Sequence, residues 1–124
     1  MTHLAISTAL ALALAFSAAA QAQTVRMLVQ SSPLAGIRHH EAARLWNLLG
    51  VGDSLELVRE PDNHYDPRAI RVDWRGRKLG YVPRRDNDAI AWGLDRGDTL
   101  RAKISRIELR GAVLRRIEFE VFVE

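Results

Sequence analysis

Residues 55–84 read LELVREPDNHYDPRAIRVDWRGRKLGYVPR, and this stretch decides the fold. Ser54 to Arg59 alternates, with Leu55 and Leu57 on one face, which predicts a strand. A polar loop bounded by prolines follows from Glu60 to Pro67. Ala69 to Trp74 is the next predicted strand, Arg75-Gly76 a tight turn, and Arg77 to Val82 the returning arm of a hairpin that Pro83 ends.

The pattern continues on both sides. Downstream, Asp86 to Asp95 reads as a helix with Ile90, Ala91 and Leu94 on its buried side and Gly97 after its end. Leu100, Ala102 and Ile104 alternate with polar neighbours, as do Ile117, Phe119, Val121 and Val123. Gly111-Ala112 is the expected turn between those two long strands. Upstream, Val51-Gly52-Asp53 is a turn, and Glu41 to Leu49 carries Ala42, Leu45, Trp46 and Leu49 at helical spacing. Ala35 to His40 is short and extended. Thr24 to Gln30 reads as a first strand that stops at the turn signal Ser31-Ser32-Pro33. The fold class expected is mainly β: a small barrel or sandwich of six or seven strands with two short α-helices. Trp46, Trp74 and Trp92 each sit in an apolar pattern and are expected to pack in the core.

The chain has 124 residues, no Cys, and a formal charge of +3, which allows an anionic partner without demanding one. Cysteine chemistry of every kind is excluded. Leu4 to Ala20 is an apolar run ending in Ala20-Gln21-Ala22, the small-x-small pattern of a secretory signal cut after Ala22. Residues 1–22 are therefore expected to be a signal peptide and residues 23–124 one domain, exported to a periplasm or secreted, with no membrane attachment after cleavage. All eighteen Lys and Arg lie after Gln23, so the domain carries the whole charge.

Three blocks are more specific than their composition: Ala35-Gly36-Ile37-Arg38-His39-His40, then the stretch from Leu55 to Val72 containing Arg59-Glu60-Pro61-Asp62-Asn63-His64-Tyr65-Asp66-Pro67, then Lys78-Leu79-Gly80-Tyr81-Val82-Pro83-Arg84. In order and spacing they resemble the HIRAN domain family, over roughly residues 25–110. The resemblance implies a small OB-like β-barrel of about six strands, with two short helices and no catalytic chemistry of its own. In family members fused to helicase-like enzymes the domain captures single-stranded DNA by a free 3′ end. By that similarity Arg38, His39, Tyr65, Asp66, Tyr81 and Arg84 fall on positions lining a nucleic-acid groove. Where the best-understood members have an aromatic residue after the arginine, this chain has His39.

The residue types agree with that implication. A carboxylate at Asp66 can accept a hydrogen bond from a 3′-hydroxyl and repels a 3′-phosphate; Asp66 ahead of Pro67 can equally cap a turn. Tyr65 offers a ring for stacking or for packing its loop onto the barrel, and Arg38 and Arg84 suit phosphates or a solvated surface. Arg68, Arg71, Arg75, Arg77, Lys78 and Arg85 interleave with Asp62, Asp66, Asp73, Asp86 and Asp88, so the basic footprint is weak. Gly80 before Tyr81 reads as a close-packing or bulge glycine.

Phosphate-loop motifs and the nucleophile elbow are absent. His39, His40 and His64 form no metal-binding motif, so no cofactor is expected; a divalent ion there is the alternative. The partner expected is a single-stranded nucleic-acid end or another anionic ligand. Because the chain carries an export signal, a cell-envelope polyanion, a glycan or a protein partner in the same groove is the rival reading.

Overall fold

The computed structural model describes residues 26–37, 41–110 and 113–124. The expected signal segment, the candidate residues Arg38 and His39 with His40, and the expected turn at Gly111-Ala112 lie outside the described residues.

The hairpin forms where the sequence placed it. Strand β2 (Ser54–Glu60) pairs antiparallel with β3 (Ala69–Trp74), and β3 pairs with β4 (Arg77–Tyr81). Arg75 and Gly76 link β3 to β4 with φ of 48° and 77°, the two left-handed residues that a two-residue hairpin turn of matching twist requires. Arg75 is a poor steric choice there, but its guanidinium lies over the Trp74 ring at 4.6 Å, a cation–π contact that offsets part of the strain. Leu79 is an extra residue in β4, since the register passes from Val72↔Gly80 to Asp73↔Lys78.

The remaining strands are long. Strand β5 (Leu100–Arg110) runs beside β6 (Val113–Val123), and β6 beside β1 (Met27–Pro33). The whole is one antiparallel six-stranded sheet in the order β1-β6-β5-β2-β3-β4. No continuous ladder closes it. Its two edges instead meet at one isolated bridge: the Ala35 N–H donates to the Tyr81 carbonyl at 2.8 Å, and the Tyr81 N–H to the Ala35 carbonyl at 2.9 Å. Gly80 makes that approach possible. A Cβ there would stand 2.2 Å from the Ala35 carbonyl oxygen.

The inward positions of the sheet, among them Ile70, Val72, Leu79, Ile104, Ile117, Phe119 and Val121, form one core. Helix α1 (Ala42–Leu45) adds Ala42 and Leu45, and helix α2 (Asp88–Asp95) adds Ile90 and Ala91.

Three expectations need correction. Strand β1 runs through Ser31-Ser32-Pro33, because β6 continues opposite it as far as Pro33↔Glu118, and pairing outweighs turn propensity. Ser32 is buried and accepts a hydrogen bond from the Gln30 amide. Helix α1 is a single α-turn followed by turns up to residue 48, shorter than its periodicity predicts. Finally, only Trp74 is a fully buried tryptophan, its indole N–H donating to Asp53 at 3.1 Å. Trp46 is half-buried, and Trp92 is 74% exposed, since two residues turn it roughly 200° around α2 from Ile90 and Leu94.

Candidate functional site

The loop between β2 and β3 is built by Asn63. Its side-chain oxygen accepts the backbone N–H groups of Tyr65 (2.9 Å) and Asp66 (3.1 Å), an arrangement open to Asn and closed to an apolar residue. Its amide donates to Glu60 at 3.0 Å, anchoring the loop to the end of β2. Arg59 secures the far side. It pairs in two-pronged fashion with Asp95 of α2 at 2.9 and 3.2 Å, and donates to the carbonyls of Pro67 and Ala69.

Asp66 caps the turn into β3. One carboxylate oxygen accepts the Arg68 N–H at 2.9 Å, and the other accepts the amide of buried Asn87 at 2.7 Å. Partial burial pushes the Asp66 carboxyl up. The hydrogen bonds from Arg68 and Asn87 and the charges of Arg84 and Arg68 outweigh it, and together hold the carboxyl below its ordinary value. Asp66 is thus both a turn cap and a fixed anion. A carboxylate has about four acceptor directions, so capacity remains on each oxygen.

Tyr81 closes the opposite wall. Its hydroxyl donates to Glu60 at 2.8 Å, and Lys78 Nζ lies 4.5 Å from the ring centre. Glu60 also receives Arg71, which in turn holds buried Asp73 through two contacts at 2.9 and 3.1 Å. Burial raises Glu60, but the bonds from Asn63 and Tyr81, the Lys78 charge and the Arg71 bond prevail and lower it. Glu60 therefore stands beneath both walls at once, joining Asn63 on one side to Tyr81 on the other.

Between these walls lies a cleft of about 590 Å³, bordered by Tyr65, Asp66, Tyr81, Arg84, Lys78 and the backbone at Ala35-Gly36. Four of the six candidate residues thus share one hollow. The other two, Arg38 and His39, lie outside the described residues. Tyr65 is 85% exposed, with His64 edge-on at 5.8 Å, so its ring does not pack the loop against the barrel. Arg84 is exposed and makes no ion pair with a described residue. Most other cations of this half are committed: Arg68 to Asp88, Arg71 to Asp73, Arg77 to Glu41 and Arg85 to Asp86. Among the described residues no group of three or more His, Asp or Glu side chains is arranged to hold a metal ion.

Sequence reasoning missed Glu60 and Asn87 as builders of the site. Both act through partners 21 residues away, Tyr81 for Glu60 and Asp66 for Asn87, which no local pattern reveals.

Comparison with known proteins bears on the fold and the family. A crystal structure of a protein from Lactobacillus plantarum superimposes with a TM-score of 0.65 at 25% identity, covering 78% of this chain and 96% of that one. The crystal structure of the HIRAN domain of human HLTF gives a TM-score of 0.57 at 19% identity, covering 80% of each chain, and shows the same OB-like fold. No curated protein sequence matches the chain. The family model of the HIRAN domain matches residues 27–124, from the first described strand to the last residue. The chain belongs to the HIRAN domain family, a family of nucleic-acid-binding domains.

Proposed function

We propose that the domain binds a single-stranded DNA end in the cleft between Tyr65 and Tyr81, with the terminal 3′-hydroxyl at Asp66. The observation that carries this reading is the convergence of an exposed ring, a fixed carboxylate and two cations in one hollow. A base unstacked from its neighbours can lie on Tyr65, a contact worth about 1–3 kcal/mol and available only to single strands or frayed ends. Lys78 and Arg84 then meet the adjoining phosphates. Asp66 is ionised at neutral pH, as any aspartate whose carboxyl is not pushed up would be, so it accepts from a hydroxyl and repels a phosphate at the same position.

Fluorescence anisotropy with oligonucleotides ending in a 3′-hydroxyl or a 3′-phosphate tests this directly. The wild type should prefer the hydroxyl, and Asp66→Asn should reduce that preference. Arg84→Ala should weaken both ends alike and lower the salt slope by about 0.7, one phosphate contact on a single strand. A wild type indifferent to end chemistry ends the proposal. On sequence grounds we also infer that the domain acts after export and cleavage behind Ala22; fractionation with intact-mass measurement of the extracytoplasmic form checks this.

A further inference from the structure

Among the described residues two large aromatic side chains stand exposed, Tyr65 and Trp92. Tyr65 belongs to the cleft above. Trp92 projects from the outer side of α2, whose inner side seals the core with Ile90 and Ala91. It borders a groove of about 540 Å³ with Arg68, Asp88, Ala89 and Asp95, and a second hollow of about 340 Å³ adjoins the same ring beside Arg96. An indole left in solvent forgoes a large burial, and such residues favour contact surfaces.

The groove and the cleft both draw lining residues from the β2–β3 loop, Arg68 for the groove and Tyr65 and Asp66 for the cleft. Arg68 stands two residues beyond Asp66, and its partner Asp88 follows Asn87, the residue that holds Asp66. One short loop therefore contributes to the hollow beside an exposed tyrosine and to the hollow beside an exposed tryptophan. The charges around Trp92 are matched: Arg68 pairs with Asp88, Arg59 with Asp95, and Arg96 with Asp98. With its cations neutralised, the groove offers a ring plane and little net field, which suits a base better than a phosphate.

We propose that Trp92 is a second stacking platform, taking a base of the same single strand upstream of the 3′ end held in the Tyr65–Tyr81 cleft. The inference rests on the reading of that cleft. It requires that Trp92 matter for long ligands alone, and that its contribution be independent of salt.

The test compares oligonucleotides of about three and about ten nucleotides, which bracket the lower part of the roughly 4–16-nucleotide sites of OB-type domains. Trp92→Ala should weaken the longer ligand about tenfold, the scale of one base–aromatic stack, with the salt slope unchanged and the shorter ligand unaffected. Trp92→Phe should restore most of the loss. The longer ligand should quench wild-type tryptophan emission, and that component should vanish in Trp92→Phe, leaving Trp46 and Trp74. The quench is read on the wild type, so it stands even if a variant folds poorly. If the wild type binds both ligands without quenching, and Trp92→Ala binds the longer one equally well, the platform is overturned while the cleft survives; the indole would then face a protein. If the wild type binds neither ligand, the cleft reading and this inference fall together.

Discussion

Gly80 shows how much of the architecture one missing methyl can carry. Its Cα lies so close to Ala35 that a Cβ would enter the carbonyl oxygen at 2.2 Å and touch the Leu34 side chain at 3.2 Å. The carbonyl is backbone, held by the only bridge joining the two edges of the described sheet, so it cannot yield as a flexible side chain would. Gly80→Ala should therefore cost about 1–3 kcal/mol, the usual range for overpacking, and should also displace Tyr81 next to it and weaken ligand binding. Gly76 is the comparison. A Cβ there meets nothing within 4 Å, and only its φ of 77° is unfavourable, so Gly76→Ala should cost about 1–2 kcal/mol and leave binding unchanged. Urea unfolding and oligonucleotide titration of the two variants separate collision from backbone strain. Equal binding by both would mean that the bridge does not position Tyr81.

At the scale of the element, the β2–β3 loop is held by side chains more than by its own backbone. Asn63 supplies the acceptor for two amides, and Arg59 supplies donors for two carbonyls while bracing α2. Asn63→Ala should lower stability by about 1 kcal/mol, and hydrogen exchange should rise at Tyr65 and Asp66 while the β5–β6 pair stays protected. Exchange that rises evenly across the sheet would show that the loop is not a separate unit. The sequence displayed this loop well, because prolines bound it and Asn-Asp-Tyr chemistry fills it. It displayed the hairpin equally well, because alternation and a two-residue turn are local signals. Features that depend on distant pairing were hidden. The extension of β1 through Pro33 comes from its β6 partner, and the anchoring of Asp66 comes from Asn87, 21 residues on and just ahead of α2. Trp92 misled for a different reason: an apolar residue in an amphipathic helix is read as core unless its angular position is checked against Ile90 and Leu94. The candidate site was legible as a set of residue types, while the hollow that gathers four of them required the edges of the sheet to meet.

For the molecule as a whole, the two carboxylates under the cleft couple folding to pH. Asp66 and Glu60 are both held below their ordinary values, against the opposing effect of burial, by hydrogen bonds and neighbouring cations. A carboxyl lowered in the folded state binds fewer protons there than in the unfolded chain, so the unfolded state gains as acid is added. Above about pH 5 both groups are ionised in both states, and their contribution is full and flat. It declines as pH falls through the unfolded range near pH 4, and is gone once the folded carboxyls have themselves been protonated. The cleft should feel this before the core does, because protonating Glu60 weakens its hold on Arg71 and on the two walls, while the β5–β6–β1 side contains none of these contacts. Urea midpoints measured from pH 7 to pH 2.5 should fall with acid in the wild type. The fall should be shallower in Asp66→Asn, whose residue 66 no longer titrates, with the two curves converging at the acid end. A parallel descent of the two curves would show that Asp66 is not among the groups linking folding to pH, and its tie to Asn87 would then carry no charge-dependent stability.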